Sequence, residues 1–278
     1  MVTDDRDHDD APRGFGIAVM AKASAPGRTK TRLAPPLTHA EAAEFNTAFL
    51  QDAADTLLRA GREAAISGYM AYGPPREGCF FERTMPPGIE IFECWQPGFG
   101  ACLEQAARTL FAMGHAAAGL LNSDSPSLPG EILVEAASVL ARPGDRAVLG
   151  PSSDGGYYLL GIKRLHARLF EDIAWSTEVV AEQTLARARE IGLPVHLLPA
   201  WFDVDDASSL RRLLAELADD GGAAGGERVP LATHTRELLA RLTSEADLLR
   251  RLGLDLSADA EVVWAKHAAA ARREELRP

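Results

Sequence analysis

Four cations stand close together in the segment KASAPGRTKTRLAP over residues 22–35: Lys22, Arg28, Lys30 and Arg32. In a chain whose formal net charge is -11, such a local excess suits a small anion, above all a diphosphate. Gly27, in the same segment, would let the backbone approach that anion closely. Neither G-x-x-x-x-G-K-[ST] nor G-x-G-x-x-G occurs here, so the segment is neither a P-loop nor a dinucleotide fingerprint. A solvated basic loop would have the same composition. What favours a ligand is the position just after the apolar run at 15–20, because ligands of open α/β sheets bind over the carboxyl ends of the strands.

Two acidic sites could work with these cations. Asp124 lies in SDSPSLP, residues 123–129, directly after the apolar run at 117–122. One or two protein carboxylates suffice for Mg²⁺ when phosphate oxygens and water supply the remaining ligands, so Asp124 is a candidate metal ligand. Capping of the next helix is the alternative, but Ser127 and Pro129 lie nearer its expected start at Glu131. In WFDVDD, residues 201–206, Asp203 and Asp205 alternate around Val204 and in an extended segment would point to one side. That pair could complete the metal site or supply a base, with Asp203 the first choice as ligand and Asp205 the second. Asp206 reads as the N-cap of a helix beginning at Ala207. A surface turn would also carry such residues.

A third segment, GPSSDGGYYLLG at 150–161, joins two apolar runs through Asp154, Gly155 and Gly156. An Asp-Gly turn can be a plain hairpin. As a binding element, its glycines would admit a sugar or acceptor whose hydroxyls donate to Asp154, with Tyr157 beside them. Trp175 either lines an acceptor pocket or packs on the core, and Ser176 or Thr177 would cap a helix from Glu178. The loop from Gln96 to Gly100 opens a further helix whose amino end could face ligand.

These residues need a scaffold, and hydrophobic periodicity supplies one. Strands are expected at 15–20, 64–70, 89–93, 117–122, 146–149, 157–162 and 195–198. Thr38 and Glu41 form a capping-box pattern opening a helix to about residue 60, and amphipathic helices are expected at 101–113, 131–140, 178–191 and 207–217. The alternation implies a doubly wound α/β fold with a mostly parallel sheet. We divide the chain into an acidic tail (1–13), a catalytic domain (14–218), a Gly-rich linker (219–229) and a helical C-terminal extension (230–278). Leu238, Leu239, Leu242, Leu248, Leu249 and Leu252 have helical spacing in that extension, which suits packing or self-association.

Composition excludes several classes. Hydrophobic residues make up 46% and charged residues 25% of the 278, as in ordinary globular proteins. The negative charge argues against a general nucleic-acid partner, which needs a dense field of Lys and Arg. Five Asp among the first ten residues read as a solvated tail rather than a signal peptide, and no run approaches the roughly 18 apolar residues of a membrane span. Cys79, Cys94 and Cys102 are odd in number and lack metal-ligand spacing, so a reducing, cytoplasmic setting is expected.

In order and spacing, KASAPGRTKTRLAP, SDSPSLP, GPSSDGGYYLLG, WST and WFDVDD resemble DUF2064, a bacterial family of selenodomain-associated or arsenosugar-biosynthesis-type transferases within the GT-A, nucleotide-diphospho-sugar transferase superfamily. The resemblance spans about residues 15–240. It implies a GT-A fold, with Lys22, Lys30 and Arg32 near donor phosphates, Asp124 and Asp203 as Mg²⁺ or Mn²⁺ ligands, and Asp154, Gly155, Gly156, Trp175 and Thr177 bordering the acceptor. Where relatives carry Gly-x-Leu-Gly-x-Arg, this chain has Ala101 and Cys102, so an arginine is missing from that helix. The activity implied is metal-dependent glycosyl transfer from a nucleoside-diphosphate sugar to a small acceptor, with Asp154 or Asp205 as base. The alternative is nucleotidyl transfer from a nucleoside triphosphate to a small phosphorylated acid or cofactor precursor, with release of pyrophosphate. A nucleotide-binding protein without catalysis is the third reading, supported only by the missing arginine.

Overall fold

The computed structural model describes residues 13–219, 231–243 and 247–253; the expected acidic tail, the Gly-rich linker and the last 25 residues therefore fall almost wholly outside the described residues. Strands β1 (Arg13–Ala21), β2 (Ile66–Tyr72), β3 (Glu90–Glu93), β4 (His115–Leu121), β5 (Ala147–Pro151), β6 (Tyr157–Ile162) and β7 (Val195–Leu197) form one sheet in the order β3-β2-β1-β4-β6-β5-β7. Only β6 runs antiparallel to its neighbours; the other pairings are parallel. The doubly wound, mostly parallel α/β architecture expected from the sequence is the one observed.

Period-two alternation splits the central strands between two layers. Phe15, Ile17 and Val19 of β1 join one cluster with α1 (His39–Glu63) and α4 (Gly130–Ala141). Ala18 faces the opposite cluster, built with α3 (Phe99–Ala112) and α5 (Val180–Glu190). In β4, Ala117 and Leu121 go to the first layer and Ala118 and Leu120 to the second. The register pairs Phe15 with Ala117 and Val19 with Leu121, so β1 and β4 end side by side and the residues after them leave the sheet together.

Helix starts follow local chemistry. Thr38 and Glu41 make the full capping box: the Glu41 N–H donates to Thr38 Oγ1 (3.2 Å), and the Thr38 N–H donates to Glu41 Oε2 (2.6 Å). Asp206 caps α6 (Ala207–Asp219) by accepting from the Ser209 N–H at 2.8 Å. Two expectations need correction. The short helix α2 (Gly78–Thr84) was not foreseen, because seven residues around one buried Phe81 are too few to establish a period. Helix α5 starts at Val180 without a side-chain cap, so neither Ser176 nor Thr177 caps it. Thr177 Oγ1 instead donates to the Ala174 carbonyl (2.6 Å) within a turn that puts Ser176 at φ 65°, and the Ala181 N–H donates to the Gly155 carbonyl (3.0 Å).

A third cluster lies beside the sheet. Helices α7 (Thr233–Thr243) and α8 (Asp247–Arg251) pack there with α1 and α6, and Leu239, Leu248 and Leu252 are almost wholly buried. At about 2 kcal/mol for each buried leucine, this packing is substantial. Among the described residues, no helix is long and apolar enough to cross a membrane.

Candidate active site

The basic segment turns away from the end of β1, and its trajectory is fixed from α1. Asn46, buried in that helix, donates from Nδ2 to the Lys22 carbonyl (3.1 Å) and to Ser24 Oγ (2.8 Å). Asn disfavours helix interiors, which was the one available sign that Asn46 serves the loop. Gly27 adopts φ 72° in a turn closed by the Arg28 N–H on the Ala25 carbonyl (3.0 Å). It is not among the residues bordering the two hollows of the cleft, and the space beside its Cα is open.

The two acidic sites are tied together by backbone. After β7 the chain runs along the end of β5, with Leu198 N–H donating to Leu149 O (2.9 Å) and Trp201 N–H to Pro151 O (3.0 Å). It then reaches the loop after β4, where the Val204 N–H donates to the Asp124 carbonyl (2.8 Å). Val204 itself is fully buried, which turns Asp203 and Asp205 towards one cleft, as the alternation suggested.

Lys30 sits at the centre. Its side chain is only 6% exposed, and Nζ lies 2.8 Å from Asp124 Oδ1 and 2.9 Å from Asp205 Oδ1 while donating to the Val204 carbonyl (2.8 Å). Burial alone would lower the ammonium's pKa; the charges of Asp124 and Asp205 outweigh it, and the net direction is upward. Asp203 holds a different set: its Oδ1 accepts from Asn122 Nδ2 (2.7 Å) and Ser125 Oγ (2.6 Å). Burial raises the Asp203 pKa, hydrogen bonds from Ser125 and Asn122 oppose the rise, and the Asp124 charge adds to it. Asn122 and Ser125 were not singled out from the sequence, because their partner lies about eighty residues away.

Two hollows meet at these carboxylates. The larger, about 440 Å³, is bordered by Lys22, Arg28, Lys30, Arg32 and Asn46. The smaller, about 350 Å³, is bordered by Asp154, Gly156, Trp175, Thr177 and Asp203. They share a wall that includes Arg32, Phe99, Asn122, Asp124, Tyr157 and Asp205. Phe99 escaped the sequence reading; it is half exposed and meets Trp175 edge to face, with ring centroids 5.4 Å apart. Trp175 is part of the packing as well as the wall, since a side chain at Gly100 would place Cβ 2.6 Å from the indole Nε1.

The glycine turn proves to be built against protein. A Cβ on Gly155, at φ 89°, would lie 1.9 Å from the Glu178 carbonyl oxygen, so this glycine admits the start of α5 rather than a ligand. Asp154 is exposed and its Oδ1 accepts from the Gly156 N–H (2.9 Å). Cys102, where the resemblance led us to expect arginine, is buried, and its thiol bonds to the backbone of Gln96. That helix end is therefore stabilised without a cation.

Residues 44–177 match the family described as an uncharacterized protein conserved in bacteria, DUF2064. Over that stretch, a little under half of the chain, the sequence is similar to DUF2064. The DUF2064 match contains Asp124, the glycine turn and Trp175, while the basic segment and the Asp203–Asp205 pair lie outside it. Among solved structures, a protein named provisionally as a nucleotide-diphospho-sugar transferase from Desulfovibrio desulfuricans G20 is 26% identical, with a TM-score of 0.71 over 86% of this chain and 97% of its own. The fold is thus that of the nucleotide-diphospho-sugar transferases. More distant are 4-diphosphocytidyl-2C-methyl-D-erythritol synthase from Anaerococcus prevotii DSM 20548 (9% identity, TM-score 0.49, 75% of this chain and 99% of that one) and glucosyl-3-phosphoglycerate synthase from Mycobacterium tuberculosis (10%, 0.44, 87% and 81%). The likeness to these two is too remote to bear on the reaction. No curated protein matches the chain.

Proposed function

We propose that the protein is a metal-dependent glycosyltransferase that moves a sugar from a nucleoside-diphosphate sugar to a small acceptor. The observation that carries this reading is the pair of hollows meeting at Asp124: one rimmed by cations, the other by hydroxyl- and carboxylate-bearing residues. A donor diphosphate fits the first, where Lys22, Arg28, Lys30 and Arg32 would neutralise it. An acceptor fits the second, beside Asp154, Tyr157, Trp175 and Thr177.

The carboxylates suit a hard divalent ion. Asp124 and Asp203 each engage Oδ1, the first with Ser123 and Lys30 and the second with Asn122 and Ser125. Among the described residues no group of three His, Cys, Asp or Glu side chains forms a metal cage; an ion here would be held by two carboxylates and by substrate phosphate. When bound, Mg²⁺ or Mn²⁺ would stabilise negative charge on the departing diphosphate. Lys30 already occupies the same acidic centre, so its ammonium holds Asp124 and Asp205 in place and can turn to phosphate when one arrives. Of the two candidate bases, Asp205 is engaged by Lys30, whereas Asp154 is exposed and contacts only a backbone N–H, which supports Asp154 for the acceptor proton.

A thermal-shift screen of nucleotide-sugars and nucleoside triphosphates, with and without Mn²⁺, tests the reading, because a ligand of the native state alone raises its stability. We expect a Mn²⁺-dependent shift with a nucleotide-sugar that Asp124→Ala abolishes. A shift with a triphosphate alone, joined to pyrophosphate release, would establish nucleotidyl transfer instead. No metal-dependent shift with either class would sink the site assignment.

A further inference from the structure

The two segments that carry Lys30 and Asp205 rest, on their far sides, against the same pair of C-terminal helices. Leu33 and Leu37, at the end of the basic segment, share one apolar cluster with Phe202 and Val204 of the acidic segment and with leucines of α7 and α8. Phe49 of α1 belongs to that cluster and lies under the Lys30 ammonium, 5.5 Å from Nζ to the ring centroid.

Polar contacts then fix the helices at the end of the basic segment and at α6, the helix that follows the acidic segment. Arg251, in α8, donates from Nη1 to the Pro36 carbonyl (2.7 Å) and grips the Glu41 carboxylate through both terminal nitrogens (2.6 and 2.9 Å). Glu41 is the residue that accepts from the Thr38 N–H, so one guanidinium holds the end of the basic segment and the start of α1. On the other side Arg211 of α6 donates to the Leu252 carbonyl (2.7 Å), and Arg236 of α7 donates to the Leu217 carbonyl (2.5 Å). Asp52 completes the seat by accepting from the backbone N–H groups of His234 (2.8 Å) and Thr235 (3.0 Å) at the start of α7.

We propose that α7 and α8 form a clamp that positions the Lys30–Asp205 pair from behind the cleft, with Arg251 as the positioning residue that closes it. The inference concerns the placement of these two side chains and stands whichever transfer the cleft performs. Charge alone does not satisfy the geometry, since the bidentate contact to Glu41 needs a planar fork that lysine lacks.

The test reads the site directly. In the full chain, amines are labelled with a limiting acylating reagent, and modification of Lys30 is measured relative to exposed Lys22 by mass spectrometry. Arg251→Ala should raise the Lys30-to-Lys22 ratio about tenfold, because opening the local seat exposes a previously held amine, and Arg251→Lys should restore part of the protection. Hydrogen exchange over residues 147–162 should stay at the wild-type rate in both variants. An unchanged Lys30 ratio while the segment 247–253 exchanges faster overturns the proposal, since the helices would then only pack. A rise in Lys30 labelling matched by equal loosening of 147–162 in both variants also overturns it, because the cause would be global unfolding.

Discussion

Lys30 Nζ lies 2.8 Å from Asp124 Oδ1 and is equally close to the carbonyl of Val204, so the cation of the basic segment and the carboxylate after β4 are partners before any ligand arrives. In this arrangement Lys30 is a resident counter-ion. Replacing it with alanine leaves Asp124 and Asp205 as unpaired like charges. Breaking a fully buried pair costs about 3–5 kcal/mol, but these carboxylates are 31% and 41% exposed, so about 1–2 kcal/mol of stability is expected to be lost. Lys30→Ala should also bind Mn²⁺ alone more tightly and nucleotide-sugar less tightly, as calorimetry of each would reveal. Weaker binding of Mn²⁺ alone would contradict the counter-ion role.

Asp203 has a separate duty. Its carboxylate is held by Asn122 and Ser125 and is the member of the acidic trio not touched by Lys30. Asp203→Asn keeps the shape and one acceptor but removes the charge. Turnover should fall about a hundredfold or more, as for loss of an electrostatic stabiliser, with melting changed little. Near-normal turnover would remove Asp203 from the metal site.

Glu41 should titrate with the clamp. Hydrogen bonds from Arg251, opposed by burial and aided by Thr38, hold its carboxyl down at about 2 from the ordinary 4.5. A depressed acid contributes stability above its unfolded pKa and loses it as pH falls, so the contribution is present above about 4.5 and disappears on acidification towards about 2. Arg251→Ala should return Glu41 towards the ordinary value, a change that carboxylate chemical shifts followed by NMR would register. A Glu41 titration indifferent to Arg251 would mean the pair is not formed in solution.

Gly155→Ala should destabilise the fold by about 2–4 kcal/mol, combining a positive φ with a clash that backbone cannot easily relieve. Urea denaturation would measure it. A neutral result would show that the turn and the start of α5 are not in contact.

Much of the scaffold was legible because it is written locally. Most strands of the sheet show as short apolar runs, and the Thr38–Glu41 and Asp206–Ser209 caps act over three residues. The positions of Asp124 and of the Asp203–Asp205 pair at one cleft followed from strand ends and alternation. What stayed hidden depends on partners far along the chain. Lys30 read as a free phosphate cation, yet one of its two acidic partners, Asp205, is 175 residues away. Arg251 was not singled out, because its contact with Glu41 spans 210 residues. Gly155 was read as making room for ligand, whereas the atom it admits is the carbonyl of Glu178.

That last contact makes the wall that we propose for the acceptor a cassette. Because the Gly155 turn and the chain from Trp175 to Ala181 are hooked to one another, Asp154, Trp175 and Thr177 move and mutate as one block, attached to the sheet through β6 and α5. The cation-bearing segment hangs from β1 and shares none of those hooks. Exchanging residues 152–181 between relatives should therefore transplant the choice of acceptor while the choice of donor stays with the recipient chain.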